Sequence, residues 1–530
     1  RPKFANGSAE LVKGQSLLAF NTMEILGLVS IPSWLLVILA FLFLLIMYSV
    51  YKQSYFWSLG IPGPTPIPFL GIIPSIAKMG LQETDLRLMQ KYGRHVGIFF
   101  GNLPQLLITD PEMIKEISVR RFSEFINRAQ SFRNVEFFDS AVNMALGEHW
   151  KFLRSTLSPT FSSGKMRNMT PLISRCLEKL TRNARNMSEG GKSVEMKNLF
   201  GAFTLDVICS TGFGIEVDSQ SNPNDPFVVN ARKAMSTNII GLRILLSMLF
   251  PDFQILFRNI PLMDQKALQF FIEATKSVMK ERRNSTSDNY KDLIQLMINA
   301  HKEQNDKTTE NEEALDYDSY KKRGLTDSEI LANALMFLLA AFDTTSSLLT
   351  FVSYCLAVNQ DVQDKLISEI DKELGKKPPT YDNVFKLQYL DMVVSETLRV
   401  YPPATRFNRE ASADTEVCGV KIPKGLDVTV VVSAVHYDPE FWPNPRKFDP
   451  ERFSPQNKGN IKPFTFLPFG AGPRNCIGMR LALLEAKMAI VEMLQNFRFV
   501  TTPETEIPPK LDKGALTKPA NGVYLKLETL

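Results

Sequence analysis

One loop, with the sequence FGAGPRNCIG from Phe469 to Gly478, constrains the fold of this chain more than any other feature. Glycines let such a loop turn tightly and let backbone N–H groups approach the sulphur of Cys476. A helical pattern begins at Arg480, so the positive end of a helix dipole points toward that sulphur. These features stabilise a thiolate, the form in which cysteine binds a metal ion. The alternative is a buried structural cysteine in a glycine-rich turn, which a lone cysteine would favour.

The loop matches the pattern F-x-x-G-x-R-x-C-x-G at every fixed position. In this it resembles the cytochrome P-450 family, to which the pattern is highly specific. The resemblance implies haem b with the thiolate of Cys476 as ligand, Phe469 screening the sulphur, and Arg474 reaching a carboxylate of the cofactor. It also implies the fold of that family, mainly α with small β-sheets (α+β), over most of the chain.

Further motifs of the family follow in the expected order. Glu396 and Arg399 form an E-x-x-R pair on one helix face, and Arg452 lies in the segment FDPERF. By resemblance, these three residues form a buried structural cluster that holds the haem-binding core and takes no part in catalysis. Removing one partner from such a cluster should cost about 3–5 kcal/mol.

Trp150 and Arg154 match W-x-x-x-R, and side chains four residues apart share a helix face. Both can therefore donate to one haem propionate. His149, beside Trp150, is interpreted as an exposed surface residue and not as a ligand. By resemblance, the propionate-binding set is completed by three arginines, Arg128, Arg409 and Arg474.

The segment AAFDTT, residues 340–345, resembles the oxygen-activation segment on the long central helix of the family. A hydroxyl at Thr344 can bond back to the carbonyl of Ala340 and open a groove in the helix. Asp343 and Thr344 then form an acid–alcohol pair that delivers protons during oxygen activation. Ala341 stands where the family often has glycine, and its methyl group narrows the groove. The alternative, a capping-type Asp–Thr pair in a buried helix, would be preferred without the cysteine loop.

The amino-terminal part of the chain predicts a membrane anchor. No charged residue occurs in the 27 residues from Ile25 to Tyr51. A helix of that length reaches about 40 Å, against a hydrocarbon core of roughly 30 Å. The sequence after the run offers no A-x-A-like cleavage site, which disfavours a cleaved signal peptide. Because the first methionine is Met23, residues 1–22 are interpreted as upstream translated sequence or an artificial tail.

The predicted organisation is a tail at 1–22, an anchor helix at 23–51, a proline-rich linker at 52–70 and a haem-thiolate catalytic domain at 71–530. The polar segment 301–323 is predicted to be a solvated surface loop. The apolar segment 239–263 is either ordinary core or a surface that rests on the membrane or roofs a pocket. Helical patterns are predicted at 176–186, 328–358, 360–374, 387–400 and 480–497, and strands at 97–109 and 426–432. Thr326 and Glu329 are spaced as a capping box before the second helix.

The composition and the motifs that are absent limit the kinds of partner this chain can have. A net charge of +5, from 61 basic and 56 acidic residues, is too small and too dispersed for a nucleic-acid footprint. The five cysteines are far apart and include no C-x-x-C pair, which indicates a reduced, cytosol-facing compartment and not a disulfide framework. No GxGxxG-like fingerprint opens a βα unit, so the electrons must come from another protein.

By resemblance, the function is insertion of one oxygen atom from O2 into lipophilic substrates such as xenobiotics or steroids. The implied electron donor is NADPH–cytochrome P-450 reductase, with cytochrome b5 as a second, optional partner. The implied location is the endoplasmic reticulum membrane, with a single-pass anchor and the catalytic domain facing the cytosol. Two alternatives stay open: a peroxide-using isomerase or dehydratase of the same fold, and a non-turnover haem-binding carrier or sensor. The basic residues expected to face the electron donor are Lys151, Arg446, Lys447 and Lys462.

Overall fold

The structure, a computed structural model, describes residues 22–25, 29–128, 138–222, 224–235, 242–257, 259–261, 264–284, 292–300 and 316–530. Helices prevail and the sheets are small, which confirms the predicted fold class. The predicted tail at 1–22 falls almost wholly outside the described residues, as do 301–315 of the predicted surface loop and parts of 239–263.

The helices are α1 (Ser33–Gln53), α2 (Tyr55–Ser58), α3 (Ile73–Met79), α4 (Leu81–Tyr92), α5 (Pro111–Lys115), α6 (Gly147–Leu157), α7 (Ser163–Ser188), α8 (Met196–Ile208), α9 (Pro226–Met235), α10 (Leu242–Leu249), α11 (Gln265–Asn284), α12 (Leu293–Asn299), α13 (Tyr317–Arg323), α14 (Asp327–Val358), α15 (Gln360–Glu373), α16 (Tyr381–Val384), α17 (Gln388–Val400), α18 (Val432–His436) and α19 (Met479–Asn496). The strands are β1 (Thr22–Ile25), β2 (Val29–Pro32), β3 (His95–Phe100), β4 (Leu103–Ile108), β5 (Ser193–Glu195), β6 (Arg406–Glu410), β7 (Thr415–Val417), β8 (Val420–Ile422), β9 (Asp427–Val431), β10 (Phe497–Thr501) and β11 (Tyr524–Thr529).

The largest sheet has the strand order β3-β4-β9-β6, in which β4 and β9 are parallel and the other two pairs are antiparallel. A second sheet has the order β10-β11-β5, and β1–β2 and β7–β8 form separate antiparallel pairs. Strand β10 of the second sheet continues directly from α19, which joins this sheet to the helical core.

Helix α14 forms the axis of the main core. Its 32 residues are apolar around most of the circumference, the pattern of a helix that is buried on all sides. It packs against α8, α17 and α19. The predicted capping box is present: Thr326 Oγ1 accepts the N–H of Glu329, and the carboxylate of Glu329 accepts the N–H of Thr326.

Three sequence predictions need correction. The predicted anchor segment 23–51 is helical only from Ser33, at the edge that Pro32 and Ser33 mark in the sequence, because the residues before it form β1 and β2. The predicted strand at 97–109 is the β3–β4 hairpin, which turns at Gly101 with a left-handed φ of 68°. Residues 317–323 of the predicted loop are helix α13, whose first turn is capped by the carboxylate of Asp316 accepting the N–H of Ser319.

Among the described residues, two helices have the length and composition to cross a membrane. One, Trp34–Ser58, is largely exposed, and the other, Asp327–Val358, is mostly buried in the core. A core helix is mostly buried, so the exposure of the first helix separates it from that class and makes it the candidate anchor. The proline-rich linker that follows is packed on the body: Pro62 accepts the N–H of Gly97 at 2.8 Å.

Candidate functional site

Backbone hydrogen bonds fix the conformation of the cysteine loop. The N–H of Cys476 donates to the carbonyl of Phe469 at 2.9 Å, and the N–H of Gly470 donates to the carbonyl of Leu467 at 3.0 Å. Gly472 has a φ of 72°, and a Cβ added there would lie 1.8 Å from the carbonyl oxygen of Ser118. Only glycine fits this position, because the turn is left-handed and touches a neighbouring backbone.

The thiol of Cys476 opens onto a cavity of about 300 Å³. Burial raises the pKa of Cys476, and the opposing effects come from the N–H groups of Gly478 and Met479 and from the charges of Arg154 and Arg128. These groups all favour the thiolate, so the site needs only a bound cation to keep the sulphur deprotonated. The cavity is lined by Arg154, Ser158, Phe161, Asn475, Cys476, Ile477, Met479 and Arg480.

Two buried arginines lie close together beside this loop. Burial, and then the charge of Arg128, lower the pKa of Arg409 to about 9. Burial also lowers the pKa of Arg128, while the Cys476 thiol opposes that shift. The Nε atoms of both side chains are buried, and among the described residues neither has a hydrogen-bond partner. Two guanidinium groups held close together without a carboxylate between them cost free energy. An anionic ligand bound between them would offset that cost.

The other residues predicted to bind propionates converge on the same loop. Arg154 donates to the carbonyl oxygen and to the side-chain oxygen of Asn475, at 3.0 and 2.7 Å. Arg474 donates to the carbonyl of Ala145 at 2.7 Å and lies over the ring of Trp150, 4.4 Å from its centroid. Trp150 is buried. The predicted set is therefore brought together around Cys476, with Arg154 and Arg474 already hydrogen-bonded to the protein backbone.

The segment 340–345 has the predicted local geometry. Thr344 Oγ1 donates to the carbonyl of Ala340 at 2.7 Å. Met336, Ala340 and Thr344 are spaced by four residues on one face of α14, and they are accessible although most of the helix is buried. This face is therefore the accessible side of α14 near Thr344.

Asp343 has different partners from Thr344. Its carboxylate forms ion pairs with Lys197, at 3.0 Å, and Lys518, at 2.7 Å. Lys197 also donates to the hydroxyls of Ser346 and Ser347. Burial alone would raise the pKa of Asp343, but the two lysines more than offset it and hold the pKa below its usual value. Asp343 is thus ionised at neutral pH.

The predicted structural cluster is formed. Arg399 donates to both oxygens of Glu396 at 2.7 and 2.8 Å, and both side chains are fully buried. Arg452 Nε lies 3.4 Å from Glu396, and its Nη2 donates to the carbonyls of Pro443 and Asn444. Burial raises the pKa of Glu396, against the opposing effect of both arginines.

The interpretation of His149 as an exposed residue is wrong. Its Nε2 lies 2.6 Å from the carboxylate of Glu329, and its ring stacks on Tyr320. Tyr320 belongs to helix α13, which lies in a segment predicted to be a loop. Helix α13 therefore covers the side chain of His149.

Three residues at the site were not predicted from the sequence: Lys197, Lys518 and His436. Lys197 is the one cation in the apolar stretch MKNLFGAFTLDVI, and such an isolated charge indicates a buried partner. His436 follows the apolar run VTVVVSAV and is fully buried. Nothing in the sequence around Lys518 points to Asp343.

An iron porphyrin suits these residues. The accessible Cys476 thiol supplies a metal ligand, and the buried, mutually repelling guanidiniums of Arg128 and Arg409 suit the two propionates of a haem. Within the described ranges, no cluster of three or more His, Cys, Asp or Glu side chains offers an alternative metal site.

The comparisons agree with this chemistry. The family profile described as cytochrome P450 matches residues 61–527. Cytochrome P450 3A7 of Homo sapiens is 42% identical over 511 residues, 96% of this chain and 98% of that protein. Cytochrome P450 3A9 of Rattus norvegicus is 43% identical over 509 residues, 95% of this chain and 98% of that protein. Cytochrome P450 3A29 of Sus scrofa is 43% identical over 512 residues, with the same coverage.

Proposed function

Because this chain belongs to the cytochrome P450 family and is a haem monooxygenase, we propose that it oxidises lipophilic substrates with electrons from an NADPH-dependent reductase. The substrates proposed are xenobiotics or steroids, the lipophilic class that the resemblance to the cytochrome P-450 family implies. The observation that carries the proposal is the cavity at Cys476, where a thiol supplied with N–H groups meets buried cations.

The chain's residues have separable tasks in this proposal. When bound, haem would supply the activation of dioxygen, with the thiolate of Cys476 as its ligand. Arg128 and Arg409, with Arg154, Trp150 and Arg474, would hold its propionates. Phe469 screens the sulphur from water.

Thr344 and Asp343 handle protons. The bond from Thr344 to the carbonyl of Ala340 holds the hydroxyl at the accessible face of α14, where a water molecule can reach it. Asp343, held ionised by Lys197 and Lys518, accepts a proton from solvent and passes it toward that hydroxyl. The retained acid–alcohol pair supports a monooxygenase over a peroxide-using isomerase or dehydratase.

We propose that the reductase, and cytochrome b5 where present, dock on the side of the cysteine loop. The exposed side chains there carry positive charge, which attracts an acidic partner and raises the association rate. The exposed basic residues that support this surface are Lys151, Arg446, Lys447, Lys462 and Arg480.

The proposed location is the endoplasmic reticulum membrane, with the catalytic domain on the cytosolic side. The proposed organisation is an anchor followed by the linker and the catalytic domain at 71–530. Free cysteines at all five positions and an exposed apolar helix at Trp34–Ser58 support it.

The experiment that tests the function uses Cys476→Ser in the full-length protein. We expect the wild type to give the carbon monoxide difference band of a thiolate-ligated haem, and the variant to lose that band and most activity. The matched control is Cys418→Ser, which replaces an exposed cysteine away from the site and should change neither. A thiolate band in Cys476→Ser would contradict the assignment.

Two further measurements separate the alternatives. With reductase, NADPH and a panel of steroids, fatty acids and pesticides, a monooxygenase consumes NADPH steadily and forms products one oxygen atom heavier. Turnover driven by peroxide without NADPH would favour the isomerase or dehydratase. Haem binding without NADPH consumption would favour a carrier or sensor.

A further inference from the structure

We propose that His436 is a positioning residue for the Cys476 thiolate. It joins the buried Glu396–Arg399 ion pair to Leu467, two residues before the cysteine loop, through one hydrogen bond on each ring nitrogen. This inference rests on the proposed function, because it concerns how the protein presents the thiolate to haem.

The two contacts of His436 define its protonation state. Nε2 lies 2.8 Å from the backbone nitrogen of Leu467, which can only donate, so Nε2 must accept. Nδ1 lies 3.0 Å from the carbonyl oxygen of Arg399, which can only accept, so Nδ1 carries the proton. A neutral imidazole with its proton on Nδ1 satisfies both groups, and an imidazolium would break the bond to Leu467.

On one side, the ring is attached to the most rigid part of the site. His436 and Arg399 bond reciprocally, since Arg399 Nη1 donates to the carbonyl of His436 at 2.9 Å. The same guanidinium holds Glu396 through two bonds. All three side chains are completely buried, so the position of the imidazole follows that of α17.

On the other side, the ring holds Leu467, two residues before the cysteine loop. The carbonyl of Leu467 accepts the N–H of Gly470, and the carbonyl of Phe469, between these two residues, accepts the N–H of Cys476. A shift of Leu467 would therefore displace Gly470 directly and, through Phe469, the N–H groups near the sulphur. His436 is the side chain that prevents this shift.

The competing interpretation is a core histidine that only satisfies two buried groups. In that case its loss would lower stability but leave the thiolate environment of the folded protein unchanged. A spectroscopic readout distinguishes the two interpretations, because the carbon monoxide band reports the ligand state of the sulphur directly.

The experiment compares His436→Asn with His436→Gln in the holoenzyme. The amide of Asn can replace the Nδ1 donor toward Arg399, while the longer Gln places its oxygen near Nε2 and can accept from Leu467. The readout is the ratio of the thiolate band to any band at another position, normalised to haem content. We expect His436→Gln to keep the wild-type ratio, and His436→Asn to reduce it by about tenfold, since a buried N–H is left without a partner.

Equal, wild-type ratios in both variants, with lower unfolding temperatures, would overturn the proposal. If neither variant retains haem, amide hydrogen exchange of the wild-type holoenzyme decides. The N–H of Leu467 should then exchange as slowly as the N–H groups within α17, and fast exchange would overturn the link. A wild type without a thiolate band would refute the proposed function instead, so the two failures are distinguishable.

Discussion

At the scale of single residues, Asp343 shows how a buried carboxylate is kept charged. Burial costs free energy that an isolated charge cannot recover, and here two ammonium groups surround the carboxylate. The cost appears on Lys197: burial lowers its pKa to about 8, although the charge of Asp343 opposes the shift. Lys197 and Lys518 are both partly accessible, so water can reach this ion-pair cluster from solvent.

Substitution of Thr344 by alanine removes the hydroxyl at the accessible face of α14. We expect Thr344→Ala to release peroxide and to lower product formed per NADPH by about tenfold, less than the roughly 10²–10⁴-fold that a general acid–base group contributes to rate. The measurement is hydrogen peroxide and product against NADPH consumed.

Thr350 provides a matched control in the same helix. Its hydroxyl makes the same bond to the carbonyl four residues earlier, Ser346, at 2.7 Å, but it is fully buried. Thr350→Ala should lower stability and leave coupling unchanged. Equal uncoupling in both variants would show that helix geometry, and not the Thr344 hydroxyl, controls proton delivery.

His436 predicts a pH dependence of stability. Burial, and then the charge of Arg399, lower its pKa from 6.5 to about 3. Between these values the unfolded chain binds a proton that the folded protein excludes, so this contribution to stability is complete above pH 6.5 and decreases as the pH falls. The free energy of unfolding of wild type, relative to His436→Gln, should fall by about 2 kcal/mol from pH 7 to pH 5. Parallel denaturant titrations measure it, and a constant difference would rule the effect out.

Local contacts at this scale could be predicted from the sequence, and distant ones could not. The bond from Thr344 to Ala340 follows from helix geometry alone, which is why the sequence predicted it. Lys197 lies 146 residues from Asp343 along the chain, and Glu329 lies 180 residues from His149. Such pairs are created by the packing of α8 and α6 on α14, and no local pattern encodes them.

At the scale of elements, helix α17 and the segment Pro450–Phe453 contribute unequally to the structural cluster of Glu396, Arg399 and Arg452. Glu396 is fully buried and bonds Arg399 through both oxygens, whereas Arg452 is partly accessible and is held mainly by two backbone carbonyls. Glu396→Ala should therefore lose about 3–5 kcal/mol of stability and most bound haem, because it leaves Arg399 charged and buried.

Arg452→Lys is the informative comparison for this cluster. It keeps a positive charge near Glu396 but loses the fork that bonds the carbonyls of Pro443 and Asn444, so we expect a smaller loss, of about 1–2 kcal/mol. Urea unfolding and haem retention measure both variants. A loss as large for Arg452→Lys as for Glu396→Ala would contradict this ranking.

Elements with strong periodicity and capping signals were predictable, and the exceptions have physical causes. Helix α14 was predicted to within one residue, because Thr326 and Glu329 mark its start and its apolar run is long. The β3–β4 hairpin was read as one strand because its turn, at Gly101 and Asn102, is short and lacks proline. Asn102 is buried there by the anchor: its side chain contacts Ser49 and Gln53 of α1.

At the scale of the whole molecule, the anchor helix is docked on the body instead of hanging from a free linker. Gln53 donates to the carbonyl of Gly101, and Lys52 pairs with Asp252 at 3.0 Å. Asp252 is the second residue of the 3₁₀ segment Pro251–Phe257, so the docked helix adjoins an apolar surface. This roof patch consists of Phe253, Ile255 and Leu256, which are 51%, 65% and 71% exposed.

An exposed apolar patch beside a candidate membrane anchor predicts a second membrane contact. A variant without residues 1–53 should still bind phospholipid vesicles, and replacing the three roof-patch residues by serine should weaken that binding at least about tenfold, since each side chain loses part of its 1.5–3 kcal/mol of apolar burial. Co-sedimentation with vesicles measures the partition. The matched control replaces Ile507 and Phe385, exposed apolar residues elsewhere on the body, and should leave binding unchanged. Equal loss in both variants would mean that general surface polarity, and not the docked roof patch, sets the affinity for the bilayer.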